Sequence, residues 1–230
     1  SGTMSDEGNV AGDVFTLELD GGVPHNLTPE IDHSITWIDW QPEGIYYGAR
    51  CVESGLIGHI DVQSGKIREI ACGMFAIGGR GPEKFSIRRN TCAVIRESFT
   101  EPPNIYVMSL ERGDWKQVSQ LEFDTNSFPP LHIENIHWTH PDGTPTQAYL
   151  ALPDGYEPGK AYPMIVNVHG GPSLSIVPGY ANNWVRLFLD KGCVVLLPNP
   201  RGSWGRGSAY QSANVGDLGG GDWQDVICGI

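Results

Sequence analysis

Met164-Ile165-Val166-Asn167-Val168-His169-Gly170-Gly171-Pro172 carries the clearest architectural signal in this chain. An apolar run stops abruptly in His-Gly-Gly-Pro, as when a buried strand delivers a bare, glycine-lined backbone to the edge of a sheet. Glycine has no Cβ, so an incoming oxygen can approach the peptide N–H groups there. Aimed N–H donors hold the oxyanion of a tetrahedral intermediate in acyl transfer. Gly170 and Gly171 are therefore the candidate oxyanion-binding residues. Half an oxyanion hole calls for a nucleophile, and the search for one shapes the rest of the reading.

The surroundings of this run read as alternating strand and helix. Ile133 to Thr139 and Gln147 to Leu152 flank Pro141-Asp142-Gly143, a turn signal, and form a hairpin. Strand 164–168 follows. Tyr180 to Lys191 places Trp184, Leu187, Phe188 and Lys191 at helical spacing, with Asn182 or Asn183 as cap and Gly192 as stop. Cys193 to Leu197 is uniformly apolar, as a strand covered on both faces should be. Strand, helix, strand in that order implies a parallel βαβ unit. A last helix starts at Asp222 as cap, with Asp225 placed favourably at its positive end, and runs on to Ile230.

The first half has a different period. Val14 to Leu19, Ile60 to Val62 and Ile105 to Leu110 each lead into a glycine turn, at Gly21, Gly65 and Gly113, and a short β-like run follows each. These glycines recur about every 45 residues, the blade period of a four-stranded propeller. Further strands lie between them, at Ile35 to Trp40, Ile45 to Arg50 and Cys92 to Arg96. The tally is about two and a half blades, too few to close a ring of typically four to eight. A β-sandwich with similar hairpins is the alternative. Thr125 to Leu131, with Pro129-Pro130, reads as the linker, dividing the chain into 1–128 and 129–230.

A chain of 230 residues, 40% hydrophobic and 18% charged, can bury a core and is not a disordered tail. The net charge of −12 argues against non-specific nucleic-acid binding, for want of a basic stripe. No apolar run reaches about 18 residues, so no membrane-spanning helix is expected. Ser1 to Val10 lack the basic start and apolar stretch of a signal peptide. Cys51, Cys72, Cys92, Cys193 and Cys228 are widely spaced with no CxxC pair, and read as buried structural thiols. The compartment stays open.

His169-Gly170-Gly171-Pro172, Pro198-Asn199-Pro200-Arg201-Gly202-Ser203, Gly205-Arg206-Gly207 and Gly216-Asp217-Leu218-Gly219-Gly220-Gly221-Asp222 occur here in fixed order. Together they resemble the prolyl oligopeptidase family of serine peptidases, in the dipeptidyl aminopeptidase/acylaminoacyl peptidase branch. The segment from Met4 to Phe15 resembles an internal blade loop of that branch. The resemblance implies an incomplete β-propeller part followed by the N-terminal part of an α/β-hydrolase domain. It also implies hydrolysis of peptides or acyl-peptides by a Ser-His-Asp triad, with the backbone N–H of Gly171 as oxyanion donor and no cofactor. His169 stands where the dipeptidyl peptidase branch has a donor Tyr, so the chain is similar to the backbone-donor type. Pro200 departs from the family's Asn-Tyr-Arg-Gly-Ser, and no substrate contact is carried over to that loop.

No serine has glycine at both −2 and +2, the nucleophile-elbow pattern. Ser173 has Gly171 before it but Ser175 after it, and Ser203 has Arg201 before it and Gly205 after it. The expectation is an internal piece of a longer peptidase, inactive alone, with all three triad members C-terminal to Ile230. Alternatives are a non-catalytic propeller module that binds a partner, and an esterase of the same hydrolase fold. Unclosed blades leave exposed strand edges, so association with partners or a homo-oligomer is expected. His132, Glu134 and His140 share one face of the expected strand while His137 points away, and polar residues on a hairpin edge are preferred there to a metal site. Trp37 and Trp40, or Trp204 and Trp223, could line a ligand site, though packing is the commoner use of Trp. Asp217, Asp222 and Asp225 are read as cap and loop residues, not as a triad acid.

Overall fold

The structure is a computed structural model that describes residues 12–52, 54–79, 81–121, 130–171, 173–180 and 183–230. Residues 4–8, most of the expected linker with its 128/129 boundary, Pro172 and the cap candidate Asn182 lie outside them. The first half is built from three antiparallel sheets in chain order. A hairpin joins β1 (Phe15–Thr16) to β2 (His25–Asn26). A four-stranded meander follows: β3 (Ser34–Gln41), β4 (Gly44–Cys51), β5 (Ser54–Ile60) and β6 (Ile67–Gly73). The third sheet holds β7 (Ala76–Ile77), β8 (Phe85–Arg88), β9 (Thr91–Glu97), β10 (Asn104–Ser109) and β11 (Trp115–Gln117). Its order is β11-β10-β9-β7, and β8 shares the β7 edge of β9 further along.

The recurring glycines occupy equivalent places. Gly21, Gly65 and Gly113 turn the hairpins β1–β2, β5–β6 and β10–β11, at φ of 93°, 70° and 71°. That left-handed backbone is open to glycine at no steric cost. The sheets also stack. Val14 and Leu27 from the β1–β2 hairpin share a core with Ile45, Tyr47, Ala49 and Leu56 on one face of the middle sheet. Tyr46 and Ile57 on its other face pack against Ile77, Phe85, Cys92, Val94 and Met108 of the third. In consequence β4 is buried from Gly44 to Arg50 on both faces. A two-sheet sandwich, with one wet face per sheet, would not bury a strand this way.

The second half forms one four-stranded sheet. Its strands are β12 (His132–Thr139), β13 (Pro145–Leu152), β14 (Met164–Val166) and β15 (Val194–Asn199), in the order β12-β13-β15-β14. Only the β14–β15 pair is parallel, with Ile165 opposite Val195. Helix α1 (Asn183–Leu189) supplies the crossover, and α2 (Gly207–Ser212) and α3 (Gly221–Cys228) follow. Gly192, at φ 75°, ends α1 as expected: its N–H donates to Leu189 O at 2.8 Å, and Cys193 N–H reaches Phe188 O at 3.1 Å, a Schellman stop. Among the described residues no helix is long and apolar enough to cross a membrane.

Several expectations need correction. The edge strand ends at Val166, two residues early, leaving Val168 exposed. On α1, Val185 and Arg186 are buried, whereas Trp184 and Leu187 face outward. Asp222 does not cap α3. It lies inside the first turn, and Asp217 instead accepts from Gly221 N–H at 2.8 Å. The helix stops at Cys228 rather than reaching Ile230. Of the five thiols only Cys92 is buried, and Cys72 and Cys228 are exposed.

The middle sheet depends on one close approach. Tyr47 on β4 lies opposite Gly58 on β5, its fully buried ring occupying the space a side chain at 58 would need. Gly58→Ala is expected to lower the unfolding free energy by about 1–3 kcal/mol through overpacking, read from urea melts. An unchanged midpoint and slope would contradict this packing.

Candidate active site

The parallel pairing of β14 with β15 continues one residue past the strand, with Asn167 N–H donating to Leu196 O at 2.9 Å. Beyond it the chain turns. Gly171 sits at φ 60°, and its carbonyl accepts from Leu174 N–H at 2.7 Å. Gly170 and Gly171 are both exposed, and among the described residues neither N–H donates to a protein acceptor. A Cβ at Gly170 would meet nothing within 4 Å. The chain after β14 therefore carries two exposed backbone amides at Gly170 and Gly171.

The side chain that fixes this turn was not legible in the sequence. His169 Nε2 lies 2.9 Å from Ser203 Oγ, across 34 residues of chain. The Ser203 hydroxyl donates to Pro200 O at 2.6 Å. Its single proton is thus spent on the carbonyl, and its lone pair is left for an Nε2–H of His169. Burial pushes the His169 imidazole below its ordinary pKa, and the nearby Arg50 cation lowers it further. Ser203 is 1% exposed, so this serine–histidine contact beside the glycines offers no accessible hydroxyl. Trp204 N–H donates to Leu174 O at 3.1 Å, tying this second loop to the glycine turn.

Arg201, one residue on from Pro200, anchors the loop. Its Nε and a terminal nitrogen donate to the two carboxylate oxygens of Asp225 at 2.8 and 2.7 Å, and its backbone N–H adds a bond of 2.9 Å. Asp225 is fully buried, so it serves as a counter-ion and not as a dipole-stabilising residue of α3. Arg201 also reaches Asp142 at 2.9 Å, and Asp142 holds His140 at 2.8 Å. Hydrogen bonds from Thr144, His140 and Arg201 hold the Asp142 carboxyl well below the usual carboxylate range. His140 lies past the end of β12 in this turn, not on a common face with His132 and Glu134. Among the described residues no cluster of three or more His, Cys, Asp or Glu side chains assembles.

The first half meets this site directly. Gly205 N–H donates to Ser34 Oγ at 3.0 Å, and the Arg50 guanidinium stacks on Trp204 at 5.0 Å. Arg50 is itself held by Glu83 at 2.6 Å, both side chains being nearly inaccessible. Trp204 is thus a packing residue between the halves, whereas Trp40 and Trp223 are largely exposed. At a second point Glu97 accepts from Tyr180 N–H at 2.9 Å, and Phe99 enters the core of the second sheet against Tyr149.

A glycine-ended parallel strand in a mixed sheet, joined to stacked antiparallel meanders, defines the class: a hydrolase-type sheet coupled to propeller-like sheets. The comparisons agree. Residues 180–230 match the sequence profile of the prolyl oligopeptidase family. Dipeptidyl-peptidase 5 of Porphyromonas gingivalis is 27% identical over 222 residues, covering 94% of this chain and 32% of its own. The Aspergillus oryzae dipeptidyl-peptidase 5 is 24% identical, over 94% of this chain and 30% of its own. An acylaminoacyl peptidase structure from Pyrococcus horikoshii superposes with a TM-score of 0.75 at 21% identity, over 95% of this chain and 33% of its own. These likenesses support a relationship to the prolyl oligopeptidase family, carried by the profile match over residues 180–230 and by the dipeptidyl-peptidase 5 relatives. It spans about a third of the length of the curated relatives it matches.

Two outcomes follow from these contacts. Asp225→Ala leaves the Arg201 cation largely buried without its main partner, and is expected to cost about 3–5 kcal/mol in a chemical melt; a loss under 1 kcal/mol would contradict the anchoring role. Because the folded-state pKa of His169 is depressed, its neutral form is fully favourable above the unfolded value of 6.5. Stability is lost as pH falls from there toward the lower folded value. His169→Gln should flatten the stability–pH curve in that window, and an unaltered slope would show that His169 is not buried neutral.

Proposed function

We propose that this chain is part of a serine peptidase that hydrolyses short peptides or acyl-peptides, and that Gly171, assisted by Gly170, donates the backbone N–H that stabilises the oxyanion. The observation that carries this is the pair of exposed amides at the carboxyl end of β14, with no acceptor among the described residues and Gly171 at φ 60°. Developing negative charge on a substrate carbonyl would meet donors already aimed, with no reorganisation at the moment of reaction. Residues 1–128 belong to the propeller, as about two and a half stacked blades, and 129–230 open the hydrolase domain. The doubly covered middle sheet supports the first assignment.

The nucleophile, base and acid of the reaction are supplied from outside these 230 residues, and the chain alone is inactive. Ser203, the serine in contact with a histidine, is buried and engaged through its proton. Fluorophosphonate labelling of the purified chain tests this: no serine should label and no acyl-aminoacyl chromogenic substrate should turn over. A label on Ser203 would overturn the assignment. In a form of the protein that carries the nucleophile, Gly171→Val should lower kcat by about 10²–10³ with little change in KM, since a β-branched side chain cannot hold a positive φ. Unchanged kcat would remove Gly171 from the mechanism.

A further inference from the structure

Three strands of the middle sheet bring two distant thiols together. Cys51 ends β4, Ser54 begins β5 directly opposite it, and Cys72 on β6 lies opposite Leu56 on the same face. Cys51 Sγ and Cys72 Sγ are 3.6 Å apart, and Ser54 Oγ stands 2.7 Å from the first sulfur and 3.2 Å from the second. Cys51 is half-buried, while Cys72 opens to solvent.

The separation discriminates between two uses of a thiol pair. A disulfide needs sulfurs at about 2.05 Å and Cα atoms within about 7 Å. Here β5 lies between the two cysteine strands, so their backbones are two inter-strand spacings apart, about 9–10 Å. Oxidation would have to pull the sheet together. Two thiolates on one tetrahedral centre, with metal–sulfur bonds of about 2.3 Å, stand about 3.7–3.8 Å apart, which the pair satisfies as it stands.

We propose that Cys51 and Cys72 form a two-thiolate chelating site for a thiophilic divalent cation of the zinc type, with the Ser54 hydroxyl donating a hydrogen bond to the bound sulfur. Each thiol gives up its proton as its sulfur–metal bond forms, so binding releases up to two protons to solvent and tightens as pH rises. Burial pushes the Cys51 thiol up to about 12 while the Ser54 hydroxyl pulls it down, so Ser54 eases the ionisation of Cys51. Two protein ligands leave two positions for water, making the site exchangeable rather than a closed structural one. It lies at the seam between the halves, since a Cβ on Gly205 would come within 2.9 Å of the Cys51 carbonyl carbon. This inference is independent of the peptidase reading.

The test is anaerobic titration of the reduced 230-residue chain with cobalt(II), followed by zinc(II). One equivalent of cobalt should produce thiolate-to-metal charge-transfer absorbance, and zinc should bleach it. Cys72→Ser, at an exposed position, should abolish the band, and Cys228→Ser should leave it intact. Without any variant, zinc should slow alkylation of Cys72 by more than about tenfold, read by peptide mapping, and leave Cys228 unaffected. The proposal is overturned if the band survives Cys72→Ser, or if zinc protects both cysteines equally or neither. Ready closure of a Cys51–Cys72 disulfide by oxidised glutathione would also overturn it, because the spacing argument would then be wrong.

Discussion

The arrangement rests on the pairing of β15 with strands on both sides. Val194 to Leu197 are buried on both faces, and β15 takes an antiparallel partner in β13 and a parallel one in β14. Over that stretch neither face reaches water and every side chain is apolar, while Asn199 at the strand's end is buried with its amide donating to Gln147 Oε1 at 2.8 Å. It also fixes the direction of β14, a three-residue edge strand with little to hold it on its own. With Ile165 locked opposite Val195, the residues that follow emerge at the carboxyl end of the sheet, where loops of α/β folds gather ligands. The glycine turn is thus positioned by hydrophobic burial some distance from it.

Burial positions the strand, but polar contacts shape the turn. His169 is drawn to Ser203, Ser203 to Pro200 O, and Arg201 to Asp225 on α3. The first ties the end of β14 to the loop after β15, the second closes that loop on itself, and the third ties the loop to α3. A buried ion pair is costly to desolvate, and its net worth to stability is small unless its remaining hydrogen-bonding positions are filled. At Asp225 they are, by two guanidinium nitrogens and a backbone N–H. The pair therefore acts chiefly by specifying one loop conformation.

Legibility in the sequence followed the range of the interaction. The hairpin at Pro141-Asp142-Gly143, the stop at Gly192, the uniformly apolar run to Leu197 and the turn glycines Gly21, Gly65 and Gly113 all express local rules, and their signals are written in neighbouring residues. Helical spacing at Trp184 and Leu187 defines a face without saying which neighbour covers it, and both side chains are exposed. His169 with Ser203, Arg50 with Trp204, and Cys51 with Cys72 left no local signal. The last pair is 21 residues apart, and only a three-strand meander in this register makes neighbours of those side chains. The departure at Pro200 from the family pattern turned out benign for the turn itself, since what the loop uses there is the backbone carbonyl, which proline retains.

The seam between the halves carries a further constraint. Arg50 lies at the end of the doubly buried β4, where a lone cation would be untenable, and Glu83 neutralises it from the loop between β7 and β8. Glu83 in turn receives the Thr36 hydroxyl, and its own N–H donates to Thr36 Oγ1 at 2.9 Å. Gly48 beneath has no side chain because the Glu83 carbonyl occupies that volume. The cation so fixed presents one flat face to Trp204, in the loop that holds His169 through Ser203. Charge neutralisation inside the first half thereby becomes a contact with the second. Glu83 thus stands at one end of a series of contacts that runs through Arg50 and Trp204 to the loop bearing Ser203.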